Sequence, residues 1–127
     1  MSAIDAAEVI IDLLRRGHAV QFRVHGDSMH PVIREEDLVH VEPLSSFDVG
    51  DVVLTHAHRG LTSHRVVSVQ GDVVVTRGDS SPADDAPVTR TRVLGVVTSV
   101  ERAGTRRNVA RENVLLRFAR RLRRMLR

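Results

Sequence analysis

A serine and a histidine, with a group of carboxylates, are the residues of this sequence that could act together in catalysis. Ser28 lies in the segment GDSMHP (residues 26–31), where glycine and proline favour a stiff turn that exposes the hydroxyl. His64 begins a β-branched run. Three carboxylates follow: Asp79, Asp84 and Asp85. A hydroxyl, a base and a carboxylate are the components of an activated-serine site.

The composition restricts which residue can serve as the base. All 19 basic residues are arginine, so the chain has no lysine and a Ser-Lys pair is impossible. A histidine is the natural proton acceptor near neutral pH. Seven are present: His18, His25, His30, His40, His56, His58 and His64.

Four segments, in order along the chain, resemble the sequence boxes of the signal peptidase I superfamily, which includes the self-cleaving repressors of the SOS response. They are GDSMHP at 26–31, DVGDVV at 48–53, SHRVV at 63–67 and RGDSSPADD at 77–85. The resemblance covers roughly residues 20–97 and implies a coiled, mostly antiparallel β domain. His64 stands where the endoplasmic-reticulum and archaeal-type enzymes carry a histidine, so the chain resembles their Ser-His branch.

The resemblance also implies roles for the residues around this pair. Asp85 matches by spacing the acid that orients the histidine, and its neighbour Asp84 could substitute. Asp79 is expected to build the turn that presents the loop. The backbone N–H of Ser28 would stabilise the oxyanion.

Two residues of the serine box are expected to contribute to substrate binding. Met29 would line the substrate pocket, although a buried methionine is equally compatible with core packing. Gly26 stands where some relatives carry a hydroxyl that assists the oxyanion, so no side-chain donor can come from it.

The secondary-structure pattern predicts a mainly β domain between two amphipathic helices. Residues 1–17 are expected to form a helix packed on the domain, with Gly17 as its stop. Period-two segments punctuated by turn residues indicate strands at 18–25, 38–42, 51–55, 62–70, 73–77 and 93–100. The β domain is thus expected over 18–101, followed by a basic linker and a helix over 102–127.

The C-terminal segment differs in charge from the body of the chain. Residues 1–100 carry 9 arginines and 14 acidic residues, a net −5, whereas residues 101–127 carry 10 arginines and 2 acidic residues, a net +8. An amphipathic helix beginning near Asn108 would contact a membrane surface, an acidic partner or nucleic acid, or pack on its own domain. Its basic residues include Arg117, Arg120, Arg121, Arg123 and Arg124.

Other features limit the cellular context and the partners. No apolar run approaches the ~20 residues that span a bilayer, and no secretory signal is recognisable, so we expect a soluble cytoplasmic protein or one peripheral to a membrane. The absence of tyrosine and tryptophan argues against stacking on single-stranded nucleic acid, and no sequence-specific nucleic-acid binding is expected. No cofactor is expected, and the oligomeric state stays open.

Three functions remain open at this point. The first is a signal-peptidase-like serine endopeptidase that acts on a peptide or protein. The second is a non-catalytic peptide-binding or adaptor domain that docks through its arginine-rich tail. The third is self-cleavage, because Ala103-Gly104 is a dipeptide of the type that the SOS repressors cut. Metal binding by His56 and His58 is a weaker alternative, since surface histidines near a turn explain them equally well.

Overall fold

The sheet dominates the fold. The structure is a computed structural model that describes residues 3–57, 60–111 and 126. Within them lie one α-helix, one short 3-10 helix at Arg90–Arg92 and eight strands. The elements are α1 (Ala3–Arg15), β1 (Val20–Arg23), β2 (Leu38–Pro43), β3 (Val52–Ala57), β4 (Gly60–Gln70), β5 (Val73–Arg77), β6 (Val88–Thr89), β7 (Val93–Arg102) and β8 (Thr105–Asn108). All described strand pairings are antiparallel, which confirms the predicted mainly β fold.

Strand β7 connects the two halves of the sheet. The strand order is β1-β2-β7-β3-β4-β5-β6, with β8 also paired to β7. One edge of β7 pairs with β2 along most of its length, while β3 and β8 share the other edge. The serine turn (residues 26–31) follows β1, and His64 lies on β4. In the sheet, β1 and β4 are separated by three strands.

Both faces of the sheet bury valine-rich clusters, as the alternating pattern requires. The larger cluster includes Val39 and Leu54, and α1 covers it through the buried Leu14. The smaller cluster on the other side contains Val53 and Val66. Since β3 contributes to both clusters, it is buried on both faces.

The N-terminal helix ends as its sequence predicts. Gly17 has a φ of +87°, in the left-handed region that glycine adopts without a Cβ penalty. Its N–H donates to the Leu14 carbonyl at 3.0 Å, and the His18 N–H donates to the Leu13 carbonyl at 2.9 Å. Contacts of α1 with β1, β2 and β7 fix the helix on the sheet.

The structure corrects the expectation that residues 102–107 form a linker. They continue β7 into a hairpin with β8, and Ala103 and Gly104, at φ values of +50° and +78°, form its two-residue turn. Such a turn matches the twist of the flanking strands. The basic side chains of β8 lie exposed on an edge strand, so charge does not prevent pairing there. Strand β6, which is two residues long, was also not expected.

The predicted C-terminal helix falls largely outside the described residues, as do Arg117, Arg120, Arg121, Arg123 and Arg124. Its existence and contacts therefore stay predictions. The division of the chain into 1–17, 18–101 and 102–127 is likewise a prediction. Among the described residues, no helix has the length and apolar character that crossing a membrane would need.

Candidate active site

The serine turn presents Ser28 at the surface while its neighbour anchors the turn in the core. Gly26 has a φ of +92°, which lets the chain reverse direction after β1. The His30 N–H donates to the Asp27 carbonyl at 3.0 Å and closes the turn. Met29 is buried in the larger core cluster, so the exposed hydroxyl of Ser28 rests on a fixed base.

Strand β4 supplies the histidine. His64 pairs with Val53 of the doubly buried strand β3, which restrains its backbone. Because successive side chains of a strand point to opposite faces, His64 and Arg65 project to different sides of β4. His64 and Arg65 can therefore contact different groups on the two sides of the strand.

The structure brings Ser28, His64 and Asp85 into one line of hydrogen bonds. The Oγ atom of Ser28 lies 2.9 Å from Nε2 of His64. On the other side of the ring, Nδ1 of His64 lies 2.5 Å from Oδ2 of Asp85. The side chains of His64 and Asp85 are 11% and 35% exposed, so the pair is sheltered but accessible. This order of hydroxyl, imidazole and carboxylate is the geometry of a catalytic triad.

Thr76 of β5 contacts Asp85 through both its hydroxyl and its backbone carbonyl. The Oγ1 atom of Thr76 donates a hydrogen bond of 2.7 Å to Oδ2 of Asp85. The backbone N–H of Asp85 donates to the Thr76 carbonyl at 2.8 Å. Asp85 is therefore held at its main chain and at its side chain by one residue of β5.

Asp79 belongs to a different interaction from Asp85. Both of its carboxylate oxygens accept hydrogen bonds from the Arg65 guanidinium, at 2.9 and 2.8 Å, and both side chains are only 4% exposed. Its backbone N–H lies 3.3 Å from the sulfur of Met29. Asp79 thus connects Arg65, which follows His64 in the chain, to Met29, which follows Ser28. This is a larger structural role than the turn-building one expected from the sequence.

The loop after β5 also packs directly on the serine turn. The Ser80 N–H donates to the Ser28 carbonyl at 3.0 Å, and the Ser80 hydroxyl donates to the Asp27 carbonyl at 2.8 Å. A Cβ on Gly78 would lie 2.6 Å from the Ser28 carbonyl oxygen and 3.1 Å from its Cβ. Only glycine fits at this approach, so the glycine of the RGD segment lets the acid-bearing loop meet the serine.

A cleft of about 780 Å³ opens over these residues. Its walls come from α1, β1 with the serine turn, and the first half of β4. They are lined by Ala6, Ala7, Ile10, Phe22, Arg23, Val24, His25, Gly26, Ser28, Met29, Ile33, Leu54, Leu61, Thr62, Ser63, His64, Ser81 and Asp85. Gly26 and Met29 both line the cleft. The chemical groups therefore lie in a mostly apolar groove, the setting that binding sites favour.

The remaining candidates lie apart from this hydrogen-bonded line. The side chain of Asp84 is 56% exposed, and one of its carboxylate oxygens lies 4.0 Å from the Arg77 guanidinium. Ala103-Gly104 forms the β7–β8 turn and is not among the residues that line the cleft.

The histidines give limited support for a metal site. His58, half of the proposed His56–His58 pair, falls outside the described residues. Among the described residues, the grouping with suitably close ligand atoms is instead His25, Glu35 and Glu36, all exposed. Exposed acidic groups of this kind are common without an ion, so we assign it no role.

Sequence reasoning missed Thr76, Arg65 and Gly78. A signal for Thr76 was available, because Val74 and Thr76 are alternate, inward-facing positions of β5 and a polar residue buried there needs a partner. Arg65 gave no comparable signal, because a strand arginine is usually exposed. The contact that requires Gly78 depends on two loops that are 50 residues apart in sequence.

Comparison with known proteins agrees with the geometry. A search of curated proteins finds no match. A model of the Peptidase S24-like family matches residues 2–98, which include the serine turn, the histidine strand and the carboxylate loop. This match extends over most of the chain, and the chain therefore belongs to the Peptidase S24-like family.

Proposed function

We propose that this protein is a serine endopeptidase in which Ser28 is the nucleophile, His64 the general base and Asp85 the orienting acid. The observation that carries the proposal is the continuous pair of hydrogen bonds from Ser28 Oγ through the imidazole to Asp85, at 2.9 and 2.5 Å. Membership of a family that generally consists of serine peptidases and self-cleaving repressors supports it.

Proton transfer follows from this order of contacts. Nε2 of neutral His64 accepts the Ser28 proton as Oγ attacks a peptide carbonyl carbon, and it later donates that proton to the leaving amine. Nδ1–H of His64 donates to Asp85, which fixes the tautomer and stabilises the imidazolium that forms. Water then attacks the acyl-enzyme by the same route and releases the second product.

The oxyanion of the tetrahedral intermediate requires a preorganised donor. The backbone N–H of Ser28 fills this role in the proposal, because it makes no hydrogen bond to an acceptor among the described residues. Gly26 cannot add a side-chain donor.

The substrate in this proposal is an extended peptide that adds a strand to β4. Residues 60–64 pair with β3 on one edge, whereas pairing with β5 begins only at Arg65. The second edge of this stretch has no strand partner among the described residues, so it offers main-chain hydrogen bonds to a peptide next to His64. The apolar groove, with Ala7 and Ile10 of α1 on one wall, would accept substrate side chains. The family resemblance implies small side chains before the cut.

A peptide-library digest tests the proposal. Purified protein is incubated with a mixture of unstructured peptides that places each residue type on both sides of the bond, and products are identified by mass spectrometry. We expect cleavage by the wild type and none by Ser28→Ala. Ser46→Ala is the matched control, since Ser46 is an exposed loop serine outside the cleft. Products from Ser28→Ala at the wild-type rate, or none from the wild type, would refute the proposal.

The same preparations distinguish the other functions. The intact mass of the wild type, followed over days at alkaline pH, would fall if cleavage occurred at Ala103-Gly104. A non-catalytic adaptor would keep its biological activity in Ser28→Ala and lose it when the four arginines of the tail are neutralised together. Those four are Arg120, Arg121, Arg123 and Arg124.

A further inference from the structure

The hydroxyl of Thr76 contacts the same carboxylate oxygen as the imidazole does. Oδ2 of Asp85 lies 2.7 Å from Thr76 Oγ1 and 2.5 Å from His64 Nδ1. Thr76 is only 4% exposed, so water does not compete freely for this hydroxyl. Two donors that converge on one oxygen fix the rotation of the carboxylate.

The strand pairing fixes Thr76 relative to the base. Thr76 pairs with Val66 of β4, two residues beyond His64 and on the same side of the strand. The Thr76 carbonyl also accepts the backbone N–H of Asp85 at 2.8 Å. One residue therefore sets the position of the Asp85 main chain, and the orientation of its side chain, against an imidazole on the neighbouring strand.

We propose that Thr76 is a positioning residue of this site, which aims Oδ2 of Asp85 at Nδ1–H of His64. The inference rests on the proposed Ser28-His64-Asp85 chemistry. A correctly rotated carboxylate holds the proton on Nδ1 and leaves Nε2 free to accept from Ser28.

A purely structural role makes a different prediction. If the Thr76 hydroxyl only satisfies its own hydrogen bond in the sheet, replacing it by an isosteric apolar side chain changes stability and leaves turnover intact. If it positions Asp85, the loss falls on kcat with little change in KM, because the hydroxyl lines no part of the cleft.

Three variants separate these roles. Thr76→Val removes the hydroxyl at constant volume, Thr76→Ser keeps it, and Thr55→Val is the matched control. Thr55 is another buried strand threonine, and its hydroxyl donates to the backbone carbonyl of Thr62, at 3.4 Å, instead of to a carboxylate. We expect Thr76→Val to lower kcat about 10- to 100-fold, as is typical for outer partners of a functional histidine. Thr76→Ser and Thr55→Val should stay near the wild-type rate.

Proton NMR supplies a readout that does not need turnover. The Nδ1–H resonance of His64, assigned by its absence in His64→Gln, should move upfield or broaden in Thr76→Val and stay in place in Thr76→Ser. A wild-type kcat and an unshifted resonance in folded Thr76→Val, checked by its melting curve, would overturn the inference. If the wild type cleaves no peptide, the proposed function fails by itself, and the resonance alone decides whether Thr76 orients Asp85.

Discussion

Two part-buried histidine–carboxylate pairs lie in the described part of the chain, and they differ in what the other nitrogen of the ring contacts. His64 and Asp85 are 2.5 Å apart and 11% and 35% exposed, while His40 and Glu101 are 3.2 Å apart and 16% and 38% exposed. Burial and charge are therefore nearly the same. Only His64 has a serine hydroxyl, that of Ser28, on its second nitrogen among the described residues.

An arginine–aspartate pair lies beside each histidine pair. Arg65, next to His64, binds Asp79, and Arg102, next to Glu101, binds Asp37. The region around His40 joins β2 to β7 inside the sheet. The side chains of His40, Glu101, Arg102 and Asp37 do not line the cleft. A histidine–carboxylate pair with a flanking ion pair can therefore serve only to connect strands, as His40 and Glu101 do between β2 and β7. A hydroxyl and a groove are needed to make it a catalytic candidate.

The largest expected effect comes from removing one carboxylate from each histidine pair. Asp85→Asn should lower kcat by up to roughly 10⁴-fold, because the imidazole loses the charge that fixes its tautomer. Glu101→Gln should leave kcat unchanged, since His40 contacts no serine hydroxyl among the described residues and lines no part of the cleft. Steady-state cleavage of a peptide from the library digest measures both.

Two results would contradict this distinction. Equal losses in the two variants would mean that the carboxylates act through stability and not through the base. A harmless Asp85→Asn together with an inactive Asp79→Asn or Asp84→Asn would move the acid to another residue of the loop, while Ser28 and His64 kept their roles.

The second prediction concerns the Arg65–Asp79 ion pair beside the site and the free energy of unfolding. Replacing Asp79 by Asn removes the carboxylate charge that the buried Arg65 guanidinium contacts, and breaking a buried pair in this way costs about 3–5 kcal/mol. Urea unfolding, followed by circular dichroism, measures the free energy. Asp84→Asn, on an exposed residue of the same loop, is the control and should change little. An Asp79→Asn variant as stable as the wild type would show that the pair contributes no net stability.

The smallest expected effect concerns pH in the region around His40. The hydrogen bonds from Arg102, supported by the Arg34 N–H, hold the pKa of Asp37 below its ordinary value, although burial acts in the opposite direction. A carboxyl with a lowered folded-state pKa stabilises the fold above its ordinary pKa of about 3.9. That contribution is lost as the pH falls through the folded-state pKa.

Melting temperatures measured from about pH 6 down to about pH 2 test this sign. The wild type should lose stability on acidification, and Asp37→Asn should lose less, because it has no carboxylate to protonate there. Asp51 should add to the wild-type slope. Burial raises the pKa of Asp51, but hydrogen bonds from Arg111 and the Asp48 N–H outweigh burial and lower the pKa overall. Identical slopes in Asp37→Asn and the wild type would contradict the assignment.

Much of the fold follows from local patterns that the sequence displays directly. The period-two segments give most of the strands, and the glycine after α1 gives the end of the helix. Strand β8 was missed because its four residues, TRRN, carry no apolar alternation, and pairing with β7 alone makes them a strand. Such an edge strand has no face to bury, so its sequence contains no period to detect.

The candidate reactive groups can be read from residue types and from the order of the boxes. With no lysine present, histidine is the natural base for a serine nucleophile, and the ordered boxes single out Ser28, His64 and Asp85 as candidates, whose catalytic roles stay predictions. The contacts that distinguish Asp79, Asp84 and Asp85 are visible only in the folded chain, because the three carboxylates have the same chemistry. Thr76 holds Asp85 at the ring, while Arg65 holds Asp79 away from it. Hydrogen bonds among β4, β5 and the loop after β5 bring Asp85 to the ring, the position that the family resemblance implies by its spacing.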